Sequence, residues 1–295
     1  MTKAEQVEDL SPVDAFISSL RGKSPETKKV YKKQLLAFEV VMGSKDPAKR
    51  TFKEVAEFLD YLEDDNKSTG TVAQITIILR QFYQFHGRED LARKIKTPSV
   101  KHKKRQSVNW KDWEDMFIVA GYHHSKGDRN QALLSVLIGT SMRVGEAVCM
   151  RAKHIDWENE RIFVPNAKGG KEVWYMMVLK DDLDEYLRPW VGQKREAYVF
   201  PGKKWNTHLT VRMAEYVVRR VAEIAQVPNA SKITPHSLRH SLAHYLLFHP
   251  AMEWDIEVVR QVLNHKRITT TQIYTEGEEG GLELAEFVRR NRPGA

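Results

Sequence analysis

Residues 161–179 read RIFVPNAKGGKEVWYMMVL and differ in composition from the sequence on either side of them. The two ends of this stretch, Arg161–Val164 and Val173–Val178, are rich in β-branched and aromatic side chains, which favour strands. The residues between them, Asn166–Lys171, contain paired glycines, as a tight turn requires. The stretch therefore predicts one small β-hairpin.

Helical patterns surround the hairpin. Apolar residues recur with the period of an α-helix at 128–140, 210–226, 235–248 and 255–264. These patterns predict a mostly helical domain with one small hairpin, covering residues 109–295.

The first part of the chain predicts a bundle of four short helices over residues 11–92. Each helix has one apolar stripe, so the stripes must pack against one another. The third, for example, places Phe52, Val55, Leu59 and Leu62 on one face. The start signals are Ser11-Pro12, Ser24-Pro25, the capping box of Thr51 with Glu54, and Ser68 or Thr69; the glycine stops are Gly22, Gly43 and Gly87.

The charge of the chain favours a polyanionic partner. Its 295 residues suit two domains, and the formal net charge of +8 points to nucleic acid first and to an anionic membrane second. A basic segment, 93–108, separates the two domains and holds no acidic residue from 93 to 105. It is either a solvated linker or a strap that contacts a phosphate backbone through Lys101, Lys103, Lys104 and Arg105.

Several classes of protein are disfavoured. Cys149 is the single cysteine, which excludes an internal disulfide, and its apolar neighbours predict a packed thiol. The first residues lack the pattern of an export signal, and no apolar run approaches the roughly 20 residues of a spanning helix. We expect a soluble, cytoplasmic protein with no membrane partner.

Candidate catalytic residues cluster in the second domain. Arg143 and Glu146 lie one helical turn apart, which taken alone indicates a surface ion pair. Lys168 lies in the hairpin turn, where a lysine is usually only solvated. His236 and Arg239 follow Thr234-Pro235 at a helix start, a position that suits a bound phosphate. His236, His240 and His244 recur every four residues, so two of them can reach one metal ion. The glutamate of a zinc motif and a third ligand are missing, so we predict no metal.

Taken in order, these residues resemble the tyrosine recombinase (phage integrase) family, most closely its Xer-like members. The matching segments are TSMRVGE at 140–146, the Lys168 turn, PHSLRH at 235–240, LNH at 263–265 and TTQIYT at 270–275. Ser141 and Asn264 stand where the family usually has glycine. Both are turn positions, and neither change removes a catalytic group.

The resemblance implies a two-domain C-shaped clamp around double-stranded DNA, with a helical core-binding (SAM-like) domain and a catalytic domain. Tyr274 would attack the scissile phosphate and hold the 3′ end. Arg143, Arg239 and His265 would bind the phosphate, Lys168 would protonate the leaving 5′ oxygen, His236 would be the base for the tyrosine, and Glu146 would orient its neighbours. No cofactor is implied.

The same resemblance implies assembly into a tetramer, and it leaves the biological role open. Four subunits would meet on two DNA sites, and the tail after Tyr274 docks either on its own domain or on a neighbour. Chromosome-dimer resolution and mobile-element integration or excision both stay open. The alternatives are a type IB topoisomerase-like enzyme and a non-catalytic, site-specific DNA-binding protein.

Overall fold

The computed structural model describes residues 10–43, 46–100, 107–123, 125–167, 170–192, 197–249, 252 and 254–265. The chain divides into two compact units, Met1–Lys103 and Lys104–Ala295. The domain limits expected from the sequence stay predictions.

The first unit is a helical bundle. Its helices are α1 (Pro12–Ser19), α2 (Pro25–Met42), α3 (Phe52–Asp64), α4 (Thr69–Phe85) and α5 (Glu89–Lys94), with a 3-10 turn at Pro47–Lys49. The predicted caps are present: the side chains of Ser11, Ser24, Thr51 and Ser68 each accept a backbone N–H from the first turn. The short helix α5 was not predicted.

The position of Phe52 in α3 differs from the prediction. Val55, Phe58 and Leu62 form the buried face of α3, whereas Phe52 is 43% exposed. At 100° per residue the buried stripe centres between Val55, Phe58 and Leu62, and Phe52 lies at its edge in the first turn. The prediction that Phe52 faces the core is therefore wrong.

The second unit confirms the mainly helical fold class with a small antiparallel sheet. It begins with α6 (Trp110–Gly121), α7 (Gly127–Gly139) and α8 (Val144–Val148). The predicted hairpin is β2 (Arg161–Ala167) with β3 (Lys171–Met176), and Ile162 pairs with Tyr175. A two-residue strand, β1 (Ile155–Asp156), pairs with β2 and was not predicted.

The remaining helices complete the second unit. They are α9 (Lys180–Asp182), a π-helical turn (Leu183–Leu187), α10 (Arg188–Val191), α11 (Val211–Ile224), α12 (Pro235–Phe248) and α13 (Ile256–Val262), with 3-10 turns at Ala152–His154 and Ala230–Lys232. Every residue from Ala132 to Gly139 in α7 is buried. The four helical stretches predicted here are confirmed as α7, α11, α12 and α13. None of the described helices is long and apolar enough to cross a membrane.

Candidate active site

A tight turn after α7 directs the chain into α8. Thr140 Oγ1 donates to the carbonyl of Val136 at 2.6 Å and accepts the N–H of Met142 at 3.2 Å. Ser141 is buried in the left-handed region, with φ 57°, and its Oγ donates to the carbonyl of Val262 at 3.1 Å. The prediction of a turn at Ser141 is confirmed, and the turn places Arg143 at the N-cap of α8.

Arg143 and Glu146 form a network rather than a simple surface pair. The N–H of Arg143 donates to Glu146 Oε2 at 3.1 Å, and Nη1 donates to Oε1 at 3.3 Å. Glu146 is only 8% exposed, whereas the Arg143 side chain is 40% exposed. The (i, i+3) ion pair is therefore confirmed, but it is not a pair of surface side chains, because the Glu146 carboxylate is buried.

Tyr175 on β3 completes this network and was not identified from the sequence. Its hydroxyl donates to Glu146 Oε2 at 2.7 Å and accepts Nη1 of Arg143 at 3.3 Å. Burial first, and then the hydrogen bond to Glu146, raise the pKa of Tyr175 to about 12. The hydroxyl therefore keeps its proton at neutral pH. A tyrosine on the buried face of a strand needs a partner for its hydroxyl, and that is the signal by which it could have been found.

Arg239 joins three segments of the chain. It lies on α12, which begins as predicted with Thr234 as N-cap and Pro235 in the first turn. Its side chain is 2% exposed, and it donates through Nη1 to the carbonyl of Ser141 and through Nη2 to the carbonyl of Leu263. The turn before Arg143 and the end of α13 are thereby held against the same guanidinium.

His236 occupies the first turn of the same helix, on the exposed side. Its Nε2 lies 3.0 Å from Nε2 of His240, and the two rings are 4.3 Å apart. His240 is buried. The structure therefore shows a hydrogen-bonded pair of histidines beside the positive end of the α12 dipole.

His265 follows α13 after a second left-handed residue. Asn264 has φ 49°, as predicted for a position where the family usually has glycine, and its Nδ2 donates to the carbonyl of Trp174 at 3.4 Å. Arg260 Nη1 donates to the carbonyl of His265 at 2.6 Å. His265 therefore lies two residues along the chain from Leu263, whose carbonyl accepts a hydrogen bond from Arg239.

A cavity of about 600 Å³ opens beside Arg143 and Glu146. Its wall includes Cys149, whose Sγ lies 3.5 Å from Nε2 of His208. The prediction of a packed thiol is wrong, because Cys149 is exposed. It comes directly after the last residue of the short helix α8, so Ala147 and Val148 face the core while the thiol faces the cavity. Desolvation raises the pKa of the Cys149 thiol, which is therefore neutral at pH 7.

Some candidate residues lie outside the described part of the chain: Lys168, Tyr274, and Lys101, Lys103, Lys104 and Arg105 of the basic segment. Their places in the site stay predictions. Among the described residues, no group of three or more histidine, cysteine, aspartate or glutamate side chains is arranged to hold a metal ion.

Two family models match the sequence. The model of the phage integrase family matches residues 111–279, and that of the phage integrase N-terminal SAM-like domain matches residues 13–90. The two matches fall in the second and the first unit, respectively.

Curated relatives match nearly the whole chain. Tyrosine recombinase XerC of Lacticaseibacillus casei is 28% identical over 286 residues, covering 90% of this chain and 94% of that protein. Tyrosine recombinase XerA of Thermococcus kodakarensis is 26% identical over 259 residues, covering 87% and 86%.

Solved structures share the fold. The XerH site-specific recombinase in a pre-cleavage complex with its difH substrate has a TM-score of 0.67 at 21% identity, covering 94% of this chain and 84% of that one. A lambda integrase dimer bound to a COC′ core site has a TM-score of 0.66 at 17% identity, covering 97% and 78%.

Proposed function

The chain belongs to the phage integrase family, and we propose that it is a site-specific recombinase that cuts and rejoins double-stranded DNA through a 3′-phosphotyrosine intermediate. One observation carries the proposal: Arg239 donates to carbonyls of the two segments that lead to Arg143 and His265. This supports the proposal because the two segments that carry Arg143 and His265, far apart in the sequence, are both hydrogen-bonded to Arg239. The relatives are tyrosine recombinases XerC and XerA, which supports the same reaction for this chain.

The two arginines supply the positive charge that the reaction needs. Negative charge collects on the non-bridging oxygens in the transition state of phosphoryl transfer, and fixed donors stabilise it. Arg143 reaches the solvent beside the cavity, and Arg239 is anchored in the protein interior. A guanidinium stays charged in both environments, which makes arginine better suited than lysine to this task.

The covalent step is assigned to Tyr274. Its phenol oxygen would attack the phosphorus while the bond to the 5′ oxygen breaks, and Lys168 would give that oxygen a proton. His236, paired with His240, would accept the phenol proton, and His265 would donate a hydrogen bond to the phosphate. A 5′ hydroxyl from a second duplex then reverses the step, so neither ATP nor a cofactor is required.

The proposed partners are double-stranded DNA and further copies of the chain. The net charge of +8 favours binding to the phosphate backbone and association with the nucleoid in the cytoplasm. Lys101, Lys103, Lys104 and Arg105 would contact that backbone, and four subunits would assemble on two DNA sites. The C-terminal tail after Tyr274 would join neighbouring subunits.

The test begins with the DNA target. Genomic fragments that stay attached to the protein after denaturation are sequenced, and the enriched site is placed twice on a supercoiled plasmid. We expect exchange between the two sites and none with a single site. Relaxation of the plasmid without exchange would indicate a topoisomerase-like enzyme. If a site is enriched among fragments bound under native conditions but no DNA stays attached after denaturation, the protein binds DNA without cutting it.

A further inference from the structure

We propose that Tyr175 is a positioning residue, which holds Arg143 in place for catalysis through the carboxylate of Glu146. The inference rests on the proposed role of Arg143 at the scissile phosphate. It concerns a hydroxyl group that would touch neither the DNA nor the nucleophile.

Arg143 needs such support because its side chain is long and partly exposed. An arginine with 40% exposure keeps much of its conformational freedom unless neighbours restrict it. Among the described residues, its guanidinium hydrogen bonds both use Nη1, at 3.3 Å from Glu146 Oε1 and at 3.3 Å from the Tyr175 hydroxyl. One nitrogen is thus fixed from two sides, while Nη2 and Nε take no part in these contacts.

Tyr175 is suited to be the fixed point of this network. It is fully buried on β3, where it pairs with Ile162 of β2, and the sheet holds its backbone. Its short hydrogen bond to Glu146 Oε2, 2.7 Å, sets the plane of the carboxylate. The pKa of about 12 means that the hydroxyl is a donor to Glu146 throughout the usual pH range.

The loss of this hydroxyl should redirect Arg143. Glu146 Oε2 would keep only the N–H of Arg143, at 3.1 Å, as a donor from this network. A buried carboxylate that lacks a donor attracts the nearest cation more strongly. The guanidinium of Arg143 would then turn toward Glu146 and away from the position of the phosphate.

The experiment compares Tyr175→Phe with the wild type on a nicked substrate that traps the cleaved product. We expect the single-turnover cleavage rate to fall about 10- to 100-fold, as for a small displacement of a catalytic group, with the dissociation constant for DNA unchanged within about twofold. Tyr186→Phe is the matched control, because this tyrosine stacks on Phe117 in the second unit, at 4.9 Å, outside the network. Its rate should stay within about twofold of the wild type.

A substrate with an uncharged phosphate analogue distinguishes a role of Tyr175 in positioning Arg143 from a role in the stability of the fold. In a methylphosphonate, a methyl group replaces one non-bridging oxygen and removes the charge that Arg143 would stabilise. We expect the defects of Tyr175→Phe and Arg143→Ala to shrink together on this substrate. An equal defect of Tyr175→Phe on both substrates would show a structural role and overturn the proposal.

Two further variants keep the result interpretable. If Arg143→Ala cleaves the normal phosphate at the wild-type rate, the proposed function of Arg143 fails, and the inference falls with it. If Tyr175→Phe does not fold, Glu146→Gln takes its place, because it weakens the same support at constant shape. Its defect should likewise shrink on the methylphosphonate, and a defect that is equal on both substrates would again overturn the inference.

Discussion

Replacement of Arg239 by alanine should destabilise the second unit as well as abolish cleavage. The guanidinium donates to two backbone carbonyls, those of Ser141 and Leu263, inside the protein. A hydrogen bond from a charged donor contributes about 1.5–3 kcal/mol, and a buried acceptor left without a partner costs about 1–3 kcal/mol. The loss of two such bonds predicts a decrease of about 3–5 kcal/mol in the free energy of unfolding.

The assay is urea denaturation followed by tryptophan fluorescence. All seven tryptophans of the chain lie between Trp110 and Trp254, so the signal reports the second unit alone. Arg239→Lys should lose less, because it keeps the charge but cannot span two carbonyls with a planar fork. Arg220→Ala is the matched control, since the ion pair of Arg220 with Glu223 is exposed and should contribute less than about 1 kcal/mol.

The result that would refute this reasoning is a loss below about 1 kcal/mol for Arg239→Ala. The carbonyls of Ser141 and Leu263 would then have other partners, and Arg239 would not hold the two segments together.

Three further predictions concern backbone strain, a buried acid and DNA binding. Ser141→Val should be about 1–3 kcal/mol less stable than Ser141→Gly, because both variants lose the hydrogen bond to Val262 but only the β-branched residue is strained at φ 57°. Thermal unfolding of the two variants measures this difference. Burial first, and then the charges of Glu185 and Asp181, raise the pKa of Asp182 to about 6, above its ordinary value of 3.8. The folded state therefore loses stability as pH rises from about 4 to 6. Asp182→Asn should stabilise the protein by about 1–2 kcal/mol at pH 7, which is less than the whole shift would give because Asp182 is partly exposed to solvent, and it should not stabilise the protein below pH 4. Equal effects at both pH values in urea denaturation would contradict this. Alanine at Lys101, Lys103, Lys104 and Arg105 should weaken binding to all DNA sequences and lower the slope of log K against log salt by about 0.9 for each lost phosphate contact, and an unchanged slope would indicate a solvated linker.

Local features of the fold could be predicted from the sequence because they depend on residues close together in the chain. The capping box joins Thr51 to Glu54, three positions further along the chain, and Gly170 of the predicted hairpin turn has a φ of 69°. Ser141 and Asn264 were recognised as turn positions by the resemblance to the family, and both have positive φ. The capping box and the tight turn do not require tertiary packing to form.

The missed features depend on distant contacts. Tyr175 lies 29 residues from Glu146 and 32 from Arg143, and only the register of β3 brings them together. The alternation of inward and outward side chains in a strand predicts which tyrosine is buried, but it does not predict which carboxylate its hydroxyl will contact. In the same way, the apolar neighbours of Cys149 did not reveal that the thiol faces a cavity shared with His208, 59 residues away.

The central claim is tested most directly by locating the covalent bond between protein and DNA. The protein is incubated with a nicked target that traps the cleaved product, denatured, and digested with nuclease and protease, and the peptides are analysed by mass spectrometry. We expect a nucleotide joined through its 3′ phosphate to the peptide that contains Tyr274, and no adduct in Tyr274→Phe. An adduct on Tyr216 or Tyr245, or one that persists in Tyr274→Phe, would contradict it.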